Sequence, residues 1–353
     1  MRFIQFIIII VLLTGCWDER LYKEHSVVSL AGMEGTLGDM KGIYAYSEAL
    51  QDSTEITVIE AEGKSPREVR LNAEMKVEQS IDLSMLSAFI LGEDLATDGL
   101  EKYLDVFYRD PYNSLTAFVV IAKGSVKDYI DASKSWSAEA GEYYSRLIRS
   151  AEILSYVPEY TLQTTGATLN SKGTDLVLPY ITLDEKQQRP QLAGVALFSK
   201  GKYTGRVLKP DQSKVIGLLL QKKGRKIQFS FFYNNKPLSI TVMDVKKKWK
   251  VTSSNSIKLD YDLQMDIQEL SGDNLTDTKE IPEIEKFLEQ KITEEIEKVI
   301  TVLQEEKSDV LGVGNFVRVA KPEMFDENWH ETFAELDIAV NVKGKILKVG
   351  IIK

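Results

Sequence analysis

The sequence predicts an α+β protein of three consecutive mixed α/β domains, the last an antiparallel sheet covered by a long amphipathic helix. Long alternating runs from Lys226 to Tyr233, Leu238 to Val251 and Ile257 to Leu270 have the period of strands with one face in water. Ile284, Phe287, Leu288, Ile292, Ile296, Val299, Ile300 and Leu303 fall on one helical stripe, with Glu and Lys on the remaining faces. That is the pattern of a helix laid over a core. Earlier in the chain, short apolar runs alternate with amphipathic stretches, as in a sheet with helices packed on it.

The elements follow in order. Val27 to Leu30, Gly42 to Tyr46 and Glu55 to Ile59 read as strands. Ser65-Pro66-Arg67-Glu68 opens a helix, with Ser65 as the cap, Pro66 in the first turn and an acid soon after, and the helix is expected to run to about Glu78. Leu86 to Leu91 and Thr116 to Ala122 are buried strands, and between them Thr97 to Phe107 is an amphipathic helix. A helix from Glu142 to Ser155 precedes turn-rich sequence. A short strand at Asp175 to Leu178 follows, and Leu192 to Phe198 leads into the hairpin signal Ser199-Lys200-Gly201-Lys202. Lys209-Pro210-Asp211 begins a helix through Leu220. After the long helix, Phe333 to Val342 and Lys345 to Ile352 are expected to form a last hairpin about Lys343-Gly344. The expected division is 1–15 as a leader, then domains at 16–133, 134–223 and 224–353.

Arg2, an apolar run from Phe3 to Leu13 broken only by Gln5, and the small residues Thr14 and Gly15 make a cleavable export signal. The run is short of the roughly 20 residues that cross a bilayer as a helix. Leu13-Thr14-Gly15-Cys16 has the form of a bacterial lipobox, in which a nucleophilic thiol accepts a diacylglyceryl group before the bond preceding it is cleaved. Cys16 is the single cysteine in 353 residues, so it reads as a lipid anchor and leaves no partner for an intramolecular disulfide. Two acyl chains on one glycerol anchor durably where one does not.

A net charge of -9 excludes a general nucleic-acid binder, which needs a basic footprint to displace counterions. The runs Lys222-Lys223-Gly224-Arg225-Lys226 and Lys246-Lys247-Lys248-Trp249-Lys250 read as solvated strand ends rather than lipid contacts. His25 and His330 are the only histidines, too few for a common zinc site. Neither a G-x-S-x-G elbow nor a G-x-x-x-x-G-K-[ST] loop is present, and Gly312-Val313-Gly314 reads as a tight turn. Glu93 with Asp94, or Glu323 with Asp326, are neighbours of the kind that 53 acidic residues produce by chance. No enzyme activity, cofactor or metal is expected.

Cys16-Trp17-Asp18 resembles the start of the Ger(x)C family, the C subunits of spore nutrient-germinant receptors. Glu62-Gly63-Lys64-Ser65-Pro66, Arg109-Asp110-Pro111, Gly194-Val195-Ala196-Leu197-Phe198, Gly312-Val313-Gly314 and Asn328-Trp329 resemble that family's blocks in their order. One departure is a shorter segment from Pro322 to Trp329, with Phe325 where the family often has tryptophan. The resemblance implies a non-enzymatic lipoprotein lipidated at Cys16. It implies a place on the outer face of the spore inner membrane, assembled with two integral-membrane receptor subunits. No germinant-contacting residue transfers by position. The alternatives are a solute-binding lipoprotein that feeds a transporter, and a cell-wall hydrolase.

Overall fold

The computed structural model describes residues 25–49, 54–136, 139–220, 227–270 and 280–349. The leader expected at 1–15, Cys16, the basic run at 222–226 and most of the loop before the long helix lie outside the described residues.

Three strands open the chain as an antiparallel meander: β1 (His25–Thr36), β2 (Asp39–Ala49) and β3 (Thr54–Gly63). Helix α1 (Pro66–Glu74) starts where the sequence sets it, with Ser65 Oγ accepting the Glu68 N–H. It leads to the short β4 (Ser80–Asp82), which lies parallel to the start of β1. Strand β5 (Ala88–Gly92) then enters beside β1, and β6 (Phe118–Ala122) beside β5, all parallel. Both are buried at every residue, which is why they read as unbroken apolar runs.

The single helix expected from Thr97 to Phe107 is two, α2 (Glu93–Asp98) and α3 (Glu101–Arg109). The break is Gly99, whose φ of 112° no helix accommodates. Three more helices follow, α4 (Val126–Trp136), α5 (Ala140–Ile153) and α6 (Leu162–Leu169). Then β7 (Val177–Leu183), β8 (Pro190–Ser199) and β9 (Lys202–Leu208) complete a sheet of order β3-β2-β1-β5-β6-β7-β8-β9, with β4 beside β1. The sheet therefore contains strands from both sides of residue 133, which falls within α4. Helix α7 (Pro210–Leu220) leads to the second sheet.

That sheet pairs β10 (Ile227–Tyr233), β11 (Lys236–Val251) and β12 (Ser256–Leu270) antiparallel, as the alternation predicts. Helix α8 (Ile281–Glu305) buries Ile284, Leu288, Ile292, Ile296, Val299, Ile300 and Leu303. Two short helices, α9 (Val313–Ala320) and α10 (Trp329–Glu335), precede the last strand, β13 (Asp337–Lys348).

The expected terminal hairpin does not form. A single strand runs through Lys343-Gly344 and pairs parallel to β12. A parallel neighbour needs a long crossover, and α8 to α10 supply it. The Gly344 and Ile346 N–H groups donate to Glu289 Oε1 and Glu285 Oε1 of α8, each at 2.8 Å, so α8 also holds the strand it crosses to reach.

Alternation along the first sheet sorts its side chains to two faces. Ala31, Met33, Tyr44, Phe89, Leu91, Val119 and Ile121 pack with α1 to α3. Leu30, Ile43, Ala88, Ile90 and Val120 face α4 and α5, and this core continues without interruption through α7 into the second sheet and under α8. The two sheets thus share one apolar interior, with a polar joint at its edge.

Candidate functional site

The joint forms where α8 ends. Lys307 takes a positive φ of 51°, which turns the chain back toward the first sheet. Ser308 Oγ donates to the Phe198 carbonyl at 2.6 Å, and Ser199 Oγ donates to the Lys307 carbonyl at 2.7 Å, so the end of β8 is clamped from both directions. Asp309 comes next and is fully buried.

Its carboxylate does what a capping residue does for α9. Oδ1 accepts the Val313 N–H at 2.8 Å, and Oδ2 accepts both the Gly314 N–H at 2.7 Å and the indole N–H of Trp329 at 2.9 Å. Gly312 bridges carboxylate and helix in a left-handed conformation, φ 74°. The tight turn expected at Gly312-Val313-Gly314 is therefore a helix start served from three residues upstream.

A second aspartate faces it from the first sheet. Asp175 Oδ2 accepts the Asp309 N–H, and the Asp175 N–H donates back to the Asp309 carbonyl, both at 2.9 Å. Asp175 Oδ1 accepts the Lys200 N–H at 2.9 Å and faces His330 Nε2 at 3.1 Å. Asn315 N–H donates to the Gly173 carbonyl at 3.0 Å. Burial is the dominant influence on the Asp309 carboxyl and pushes it up to about 6, with Asp175 adding to the rise, while the N–H donors of Gly314, Trp329 and Val313 pull against it.

Around this joint the packing leaves no slack. A Cβ added at Gly314 would meet Trp329 Nε1 at 2.5 Å and Gly173 Cα at 2.8 Å. Phe325 stacks on Trp329 with ring centroids 5.3 Å apart, and Arg318 lies over the Phe325 ring at 6.0 Å. The phenylalanine at this departure from the family pattern thus supplies an aromatic face to Trp329.

A second hub ties α1 to the loops below the first sheet. Arg70, mostly buried, donates through Nη1 to Asp110 Oδ2 at 3.2 Å and through Nη2 to the Ile81 carbonyl at 3.1 Å, with Glu74 Oε1 3.4 Å from its Nε. Arg70→Met keeps the aliphatic stem but strands these acceptors. It is expected to cost about 2 to 3 kcal/mol, read as a lower midpoint in urea unfolding.

Three of the four carboxylate neighbours accept hydrogen bonds within the fold. Glu93 Oε1 accepts the Tyr180 hydroxyl at 2.7 Å, and Asp94 accepts the Gly35 N–H at 2.6 Å. Asp326 accepts the Asn328 N–H at 2.9 Å, and Glu323 is exposed. Lys246, Lys247 and Lys248 pair across to Asp262, Tyr261 and Asp260 on β12 as exposed strand residues. An open cleft of about 740 Å³ includes Glu93, Asp94, Asp98, Lys102 and Lys202, but Asp98 already holds Lys102 and the Tyr103 hydroxyl. Among the described residues there is no group of three His, Cys, Asp or Glu able to hold a metal. None of the described helices is long and apolar enough to cross a membrane.

The blocks singled out in the sequence that fall among the described residues contribute to these two hubs. Residues 19–183 match the family model described as spore germination protein N-terminal domain, and residues 193–350 match spore germination B3/GerAC like, C-terminal. The chain belongs to the Ger(x)C family. It is 23% identical to the Bacillus cereus spore germination protein GerQC over 99% of both chains. It is 22% identical to the Bacillus subtilis spore germination protein KC over 97% of this chain and 94% of that one. The solved structure of the GerBC protein superposes with a TM-score of 0.60 at 14% identity, covering 88% of this chain and 94% of the other, and shares the fold.

In this Ger(x)C chain, the Asp309 joint draws on Gly312-Val313-Gly314, Asn328-Trp329 and, through the Phe198 carbonyl, the end of Gly194-Val195-Ala196-Leu197-Phe198. The Arg70 hub draws on Arg109-Asp110-Pro111 and on the helix begun at Ser65-Pro66. Sequence reasoning singled out neither aspartate of the joint. Asp309 carries a local signal, an acid three residues before a glycine at a helix start, whereas Asp175 carries none, because its acceptors serve main chain far away in sequence.

Proposed function

We propose that this chain is a lipid-anchored subunit of a spore nutrient-germinant receptor, held by Cys16 on the outer face of the spore inner membrane and needed for receptor assembly and signalling with two integral-membrane subunits. The observation that carries this reading is the lipobox cysteine placed just ahead of two spore germination domains that together span nearly all of the mature chain. Supporting it is the use of the buried polar groups. The aspartates of the joint are committed to main-chain donors, an arrangement suited to a stiff body that transmits contact. We read the chain as non-enzymatic and as working without a cofactor.

Cys16→Ala is the test. The variant is expected to leave the membrane fraction of spores and to lose the nutrient response, while germination triggered without nutrients is unchanged. Retention in the membrane fraction together with a full nutrient response would sink the reading. Micromolar binding of an amino acid or sugar to the isolated chain in titration calorimetry would favour a solute-binding lipoprotein instead.

A further inference from the structure

We infer that the end of the first sheet where β1 begins rests on the lipid surface, with Met85 and Tyr112 seated in the headgroup region. The inference goes beyond the anchoring of Cys16 and rests on that reading.

The tether sets the geometry. Residues 17–24 separate Cys16 from the first residue of β1, His25, and a fully extended chain of that length spans at most about 30 Å. The start of β1 therefore stays within that distance of an anchored Cys16. Leu37, just past the other end of β1, lies about 36 Å further along the strand.

Two segments meet at the tethered end. His25 pairs with Ser80 of β4, the Ser87 N–H donates to the Ser29 carbonyl, and the Ser114 N–H donates to the Leu83 carbonyl. The segment 83–87 thus lies against both the start of β1 and the loop 110–116. Helix α1 stops short of this end: Asn72 and Lys76 donate to the Glu62 and Glu60 carbonyls of β3, which the strand register sets level with Glu34 and Gly32 of β1, and only the Arg70 side chain reaches Asp110 and the Ile81 carbonyl.

Each segment exposes a large apolar side chain there. Met85 is 63% exposed and Tyr112 45%. A flexible thioether and an amphipathic phenol suit the boundary between headgroups and acyl chains. The nearby charges are of both signs, Arg109 against Glu78 and Asp82, so apolar contact rather than attraction to anionic lipid carries the seating.

Acylation of the single cysteine leaves the chain free for new thiols. Met85→Cys and Tyr112→Cys, with Leu37→Cys as the far-end control, are labelled with an environment-sensitive fluorophore in the full lipidated chain. The chain is then reconstituted into phosphatidylethanolamine and phosphatidylglycerol vesicles. The expected result is a blue shift and loss of emission with lipid-borne quenchers at 85 and 112 and neither at 37, unchanged by salt. Flotation of the chain with quenching at 85 and 112 no greater than at 37 overturns this inference alone. Failure of the lipidated chain to float overturns the anchoring reading and this inference with it. In native spore membranes, labels shielded from an aqueous quencher yet untouched by the lipid-borne one mark a protein partner on this face and overturn the lipid assignment.

Discussion

Asp309→Ala is expected to lower the stability of the chain by about 3 to 5 kcal/mol, because it leaves three buried donors without an acceptor while filling none of the space. The donors are the Val313 and Gly314 N–H groups and the Trp329 indole. The check is the midpoint of urea or thermal unfolding, with Asp309→Asn as the companion. Asparagine keeps the shape and one acceptor oxygen but turns an NH₂ toward a donor, so it is expected to fall between wild type and alanine.

The same pair carries a pH signature. Burial raises the Asp309 carboxyl from 3.8 to about 6 in the folded chain, so the native state holds this proton more tightly than the unfolded state does. For a raised group, the stability contribution is complete below the unfolded value and is lost as pH rises through the folded one. Stability of wild type relative to Asp309→Asn is therefore expected to fall between about pH 4 and pH 6, by about 3 kcal/mol, and to be flat above that window. Asp175 and His330 face the same joint and are present in both proteins, so the difference between the two curves reports Asp309 together with its coupling to Asp175. A flat difference across the window would show that the buried carboxyl does not titrate there.

Gly314→Ala has the second large effect, and its sign decides the argument. In a helix without close neighbours, alanine stabilises over glycine by up to about 1 kcal/mol. Here the added methyl would lie 2.5 Å from Trp329 Nε1 and 2.8 Å from Gly173 Cα, and neither is the free end of a flexible side chain. Moving Trp329 breaks its bond to Asp309 and its stacking on Phe325, so the expected change is a loss of about 3 kcal/mol, seen as a lower thermal midpoint. A higher midpoint would mean that the indole has room to shift.

Gly314 belongs to a block, Gly312-Val313-Gly314, whose local pattern reads as a turn, and Asp309 serves that block from three residues upstream. In position it is the point at which the crossover from β12 to β13 touches the first sheet. In this chain three of the family blocks each contribute one or two groups to a joint completed by the others. Phe198 offers a carbonyl, Gly314 offers the absence of a side chain, and Trp329 offers an N–H and a ring.

What the sequence determined by itself is what depends on neighbours along the chain. The Ser65 cap, the all-buried β5 and β6, the Lys200-Gly201 hairpin, the stripe of α8 and the alternation of β10 to β12 follow from local periodicity, capping and turn chemistry, and they stand where those rules put them. The lipobox is local in the same sense, and the anchoring proposal rests on it alone. The tertiary structure decided what depends on partners distant in sequence. It joined β7 to β9 to the first sheet, replaced the terminal hairpin by a strand parallel to β12, and set Asp175 against Asp309 across 134 positions. A buried carboxylate is recognised by the donors that surround it, and apart from the Trp329 indole and the His330 ring those donors are main-chain N–H groups that every residue but proline carries, so little in the pattern of side chains announces the joint before the chain is folded.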